Sequence, residues 1–152
     1  MVSYSPRLGF EKQATGSNEN TWGDRLNSNV IEFIDEGMAG VESITVSSDV
    51  TLTSTNTSSN QVRQAVHSLT GDGGYTVTIP NKENWWIVAN GCSASVTYSA
   101  GGTAKSISAG EYCVIYCDGT DVYKAVSTEI DISNAFQTTS TTSNALGTGS
   151  KT

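Results

Sequence analysis

Basic residues are scarce in this chain. Eight Lys and Arg stand against fifteen Asp and Glu in 152 residues, a net charge of -7. Phosphate binding needs clustered cations, so this balance argues against a nucleic-acid partner. No apolar run approaches the length of a bilayer span, which argues against membrane insertion. Met1-Val2-Ser3-Tyr4-Ser5-Pro6-Arg7 has neither a basic n-region nor an apolar h-region, so no signal peptide is expected and synthesis is placed in the cytoplasm. The cysteines Cys92, Cys113 and Cys117 are few and odd in number, which fits a reduced compartment better than a disulfide scaffold.

Catalytic signatures are equally thin. His67 is the only histidine, and no Gly-x-Ser-x-Gly elbow accompanies it, so a hydrolase built on His67 is the weakest reading. No phosphate-binding glycine motif and no kinase or Rossmann fingerprint occurs. Cys113 and Cys117 share one face of a strand and could join Cys92 and His67 around zinc, but C-x3-C within a strand splays the sulfurs apart. Buried free thiols are the better reading. Asp72, Asp118 and Asp121 sit at turns, where Asp bonds its own backbone. The chain is read as a non-enzyme without cofactor or metal.

What is present is Ser, Thr, Asn and Gly, with an apolar fraction of 36% and charge of only 15%. This suits a single mainly β domain. From Val41 the hydrophobic period is two: Val41–Val46, Val50–Thr53 and Tyr75–Pro80 alternate. Trp85–Ala89, Ser95–Ser99, Glu111–Cys117 and Asp121–Val126 follow, read as hairpins closed by Asn90-Gly91, Gly101-Gly102 and Asp118-Gly119. Val62–Leu69 fits a short helix or a strand. About eight or nine short strands predict an antiparallel β-sandwich over 41–126. A polar arm precedes it, then a helix from Trp22 with Asn20 or Thr21 as cap and Gly37 as stop. Residues 1–40 are thus an attachment or oligomerisation segment, and 127–152 a Ser/Thr-rich tail anchored only by Ile130, Ile132, Phe136 and Leu146.

Two sets of residues are candidates for contacts. Trp22, Leu26, Val30, Phe33 and Ile34 form an apolar helix stripe that packs either on the β domain or on copies of itself. Trp85 and Trp86, adjacent in a strand, face opposite ways. One belongs to the core, and the other could stack on a sugar ring or fill a subunit interface, the interface being preferred.

Trp22-Gly23-Asp24-Arg25-Leu26-Asn27-Ser28-Asn29-Val30-Ile31-Glu32-Phe33-Ile34-Asp35 resembles the W-G-x-x-L-N-x-N segment near the start of many tailed-bacteriophage fibre and appendage proteins. Leu69-Thr70-Gly71, Thr76-Val77-Thr78-Ile79-Pro80, Ile87-Val88-Ala89-Asn90, Gly101-Gly102 and Tyr116-Cys117-Asp118-Gly119-Thr120 resemble a β domain of tail-fibre-like and head-fibre-like proteins. Together they span roughly residues 6–126. The resemblance implies a virion structural protein, a homotrimer whose arm and helix attach to other virion proteins while the β domain projects. A short fibre, a tail adaptor and a capsid decoration protein all suit it. The alternative from another class is a carbohydrate-binding module for host surface glycans, using Trp85 or Trp86.

Overall fold

A computed structural model describes residues 3–56 and 58–126, the side chains of Ala125 and Val126 excepted. The proposed tail 127–152 lies outside the described residues. The polar arm closes as a hairpin of β1 (Ser3–Tyr4) and β2 (Glu11–Lys12). Helix α1 (Trp22–Leu26) follows, then a π-helical stretch (Asn27–Ile31) and α2 (Glu32–Ala39). Thr21 occupies the N-cap position without a side-chain cap bond. Gly37 lies inside α2, and the helix ends at Gly40, which is extended. A Cβ on Gly40 would collide with the Glu36 carbonyl and the Gln64 carboxamide, so the close approach requires glycine.

Nine strands make the β domain: β3 (Val41–Thr45), β4 (Val50–Thr51), β5 (Val66–Thr70), β6 (Thr76–Thr78), β7 (Glu83–Asn90), β8 (Val96–Ser99), β9 (Lys105–Ile107), β10 (Tyr112–Asp118) and β11 (Val122–Val126). Val62–Leu69, ambiguous in sequence, resolves into a 3-10 turn (Gln61–Arg63) followed by β5. One sheet has the order β11-β10-β7-β5-β3 and the other β4-β6-β8-β9.

The expected all-antiparallel pairing is corrected. β3–β5, β5–β7, β4–β6 and β6–β8 pair in parallel, and only β7–β10, β10–β11 and β8–β9 in this domain are antiparallel. From β3 to β8 the chain alternates between the two sheets, so each strand returns beside its predecessor only after a full circuit, pointing the same way. Val66 pairs with Ile87 and Thr76 with Thr97, an offset of 21 residues in both sheets, so the strands advance as one winding unit. Alternation marks a strand and its buried face, whereas the connection decides direction.

The predicted hairpins at Gly101-Gly102 and Asp118-Gly119 form, the second with Gly119 at φ 101°. Asn90-Gly91 is instead a corner between the sheets. The buried Asn90 amide donates to the carbonyls of Ala94, Ile107 and Ser108, and its Oδ1 accepts from Cys92 N–H at 3.0 Å. Both sheets contribute to one core, among them Ile44, Leu69, Trp86, Val88 and Ile115 from the first and Val77, Val96, Tyr98 and Ile107 from the second.

Candidate functional site

The most distinctive surface begins where the arm meets the end of the five-stranded sheet. A turn turns the arm back: Ser5 N–H donates to the Phe10 carbonyl, Phe10 N–H to Ser5 Oγ, and Gly9 takes a φ of 69° against Asn56. Arg63 then clamps it. The Arg63 guanidinium, 2% exposed, donates to the carbonyls of Leu8, Ser58 and Thr55, pairs with Glu36 at 3.2 Å and lies 3.6 Å over the Phe33 ring. One buried cation thereby joins arm, loop and helix. Burial lowers its pKa while the Glu36 carboxylate opposes that shift, and arginine keeps its charge regardless. Held in this way, the arm delivers Arg7 to Glu83 as an exposed ion pair.

Beyond that pair, strand register orders the outer face of the sheet into rows. Glu83 and Asp118 face each other at its end. Next comes Trp85–Tyr116–Tyr123, in which the two tyrosine rings stack at 4.7 Å and 14°. Then come Val41–Val66–Ile87–Val114 and Ser43–Ser68–Ala89–Tyr112. From Trp85 onward no position in these rows is charged. In a chain of net charge -7 this is an unusual surface, since the solvated face of a sheet ordinarily carries polar and charged residues.

Asp118 works at its turn as expected. Its carboxylate accepts from Thr120 and Asp121 N–H and from Tyr123 O–H, and these bonds hold its pKa below the usual range while pushing that of Tyr123 up. Two open cavities flank the Arg7–Glu83 pair. One, of about 430 Å³, is lined by Arg7, Leu8, Glu83, Asn84, Trp85 and Tyr116. The other, of about 290 Å³, is lined by Pro6, Arg7, Asn81, Lys82, Glu83 and Asp118.

The helix stripe is divided. Phe33 is buried beneath Arg63, Leu26 and Val30 are half-buried, and Trp22 and Ile34 are exposed. Ile31, at the end of the π-helical stretch, and Met38, in α2, also reach solvent, Met38 at 78%. Neither residue was singled out in the sequence. Of the two tryptophans, Trp85 is 54% exposed and Trp86 fully buried.

His67 is a core residue. It stacks on Trp86 at 5.6 Å, and Nε2 lies 3.1 Å from the Gln61 carbonyl, which can only accept. Nε2 therefore carries the proton, and Nδ1 accepts from Tyr98 O–H at 3.1 Å. Burial lowers the His67 pKa to about 4. Cys92, Cys113 and Cys117 are buried free thiols, and burial raises the pKa of the first two. No helix among the described residues is long and apolar enough to cross a membrane. Comparison of the chain with protein-family models, curated proteins and solved structures finds no match.

Proposed function

We propose that this chain is a structural protein of a tailed-phage virion, acting by self-association into a homotrimer without catalysis. The observation that carries the reading is the pairing of two uncovered apolar surfaces. One is the charge-free outer face around Val41, Val66, Ile87 and Val114, and the other is the helix surface of Ile31, Ile34 and Met38. Within one chain they cannot satisfy each other, because Arg63, Phe33 and Gly40 fix the end of the helix. In this reading the two larger sheets close as a sandwich, and the helix of one copy lies on the sheet face of the next around a ring. The sheet face brings no charge to this contact, so Glu32 and Asp35 beside the helix residues meet no like charge there. The resemblance of residues 22–35 to fibre attachment segments supplies the virion context, with the arm and helix facing other virion proteins.

The test is native mass by light scattering, followed by complementation. The unmodified chain is expected to show three times the chain mass. Ile34→Asp and Ile87→Asp are each expected to lower that mass while leaving far-UV circular dichroism unchanged. Mixed together, the two variants restore one intact helix-on-face contact per pair and are expected to form a one-to-one complex. An unmodified chain that stays monomeric up to about 100 μM would overturn self-association. A mixture that restores nothing would overturn the helix-on-face arrangement.

A further inference from the structure

We propose that the groove formed by Arg7, Glu83, Trp85 and Tyr116, with its extension to Asn81 and Asp118, binds an uncharged saccharide. The site needs no residue from a second copy, because Arg7, Glu83, Trp85 and Tyr116 line one cavity of a single chain. Two kinds of surface, aromatic and polar, meet there. Trp85 and Tyr116 are register partners on adjacent strands and turn outward, both substantially exposed, with Tyr116 held by its stack on Tyr123. Flat aromatic surface of this kind suits the apolar C–H face of a pyranose ring, whose hydrogens meet the negative face of the ring system.

Immediately beyond the aromatics the lining becomes polar. Arg7 and Glu83 stand as a preformed donor and acceptor pair that lines both adjoining cavities. At these exposures, 61% and 53%, an ion pair contributes little to stability, so its placement at the centre of a groove needs another reason. Asn81 is exposed in the second cavity and has no hydrogen-bond partner among the described residues, leaving a carboxamide able to donate and accept. Such groups match vicinal hydroxyls, and a few fixed polar groups around an apolar floor are what orient a ligand.

Charge decides the class of saccharide. Arg7 and Lys82 are balanced by Glu83 and Asp118, so the groove favours neither an anionic nor a cationic glycan. Hydrolysis is not part of the proposal. Asp118 has its carboxylate occupied by backbone N–H groups and held below the usual range, so it carries no proton for a leaving group.

The experiment uses the full chain against a panel of neutral oligosaccharides (gluco-, manno- and galacto-oligomers), read by tryptophan fluorescence and calorimetry. Dextran sulfate serves as the anionic control. The expected result is saturable binding of at least one neutral oligomer, accompanied by a fluorescence change. Trp85→Ala and Arg7→Ala are each expected to weaken binding by about tenfold or more, as aromatic and arginine anchors do, with unfolding midpoints unchanged. Trp86→Phe should bind as the unmodified chain does. Binding confined to dextran sulfate, binding that survives Trp85→Ala, or no binding across the panel would overturn the proposal.

Discussion

Trp85 and Trp86 are neighbours on β7 and share nothing else. Trp86 points inward, fully buried, its indole N–H donating to the Val62 carbonyl at 2.8 Å and its ring stacked on His67. Trp85 points outward into the groove beside Tyr116 and the arm. One residue type thus serves two ends on one strand. The inner ring is held by packing and a satisfied donor, and the outer ring is left available for contact. The sharpest way to break this comparison is to truncate the inner ring. Trp86→Ala is expected to cost about 3–5 kcal/mol, mainly through the large cavity it leaves, since the Val62 carbonyl loses the indole N–H but still accepts from the Asn84 carboxamide. Urea titration followed by circular dichroism measures it, and a loss under about 1 kcal/mol would mean that the ring is not central to the core.

Arg63 extends the comparison to a buried charge. Arg63→Leu removes the partner of Glu36 and the donors to three backbone carbonyls at once. The expected loss is about 3 kcal/mol, since an unmatched group near the interior costs more than the pair contributed. It should also free the arm. Tryptic cleavage after Arg7 and Lys12 is expected to accelerate well before global unfolding, and unchanged cleavage kinetics would show that the arm is held without Arg63.

These two side chains also show how much could be read beforehand. Helix and strands were legible from period: Trp22 onward at helical spacing, Val41 onward at two. Strand direction was not legible, because Val66–Thr70 alternates identically whether its neighbour runs with it or against it. Asn90-Gly91 misled for a related reason, since a buried carboxamide that closes a corner has the same letters as a hairpin turn. Alternation placed the two tryptophans on opposite faces without saying which was inside. Arg63 carried no sequence signal at all, being a lone arginine in an ambiguous stretch. The groove was out of reach because it unites Arg7 with Glu83, 76 residues away in the chain.

His67 ranks next in size, and its effect is conditional on pH. Its folded pKa of about 4 lies below the ordinary 6.5 because burial disfavours the imidazolium. Above pH 6.5 both folded and unfolded chains hold a neutral ring, so no pH dependence arises there. Between 6.5 and 4 the unfolded chain takes up a proton that the folded chain refuses, so stability falls as pH falls, by about 3 kcal/mol over the whole window. Glu11 and Glu111, whose pKa values are lowered from 4.5, add further loss only toward the acid end. The range from pH 6.5 to 5 therefore isolates the histidine. Urea midpoints measured there should decline for the unmodified chain and stay level in His67→Gln. A slope that persists in the variant would assign the effect to another group.

The smallest expected effect sharpens the comparison most. Trp85→Ala removes an exposed ring and should change unfolding free energy by less than about 0.5 kcal/mol. If the two faces of β7 are independent, its effect adds to that of Trp86→Phe, with a coupling energy under about 0.5 kcal/mol despite the peptide bond the residues share. Independence is the physical condition for the division of roles, because only an outer face that can change without disturbing the core is free to be shaped for a ligand or a neighbouring copy. A coupling of about 1 kcal/mol or more in the double-mutant cycle would mean that Trp85 helps hold the strand in place. Loss of ligand binding on truncating Trp85 would then report a distorted sheet instead of a missing contact.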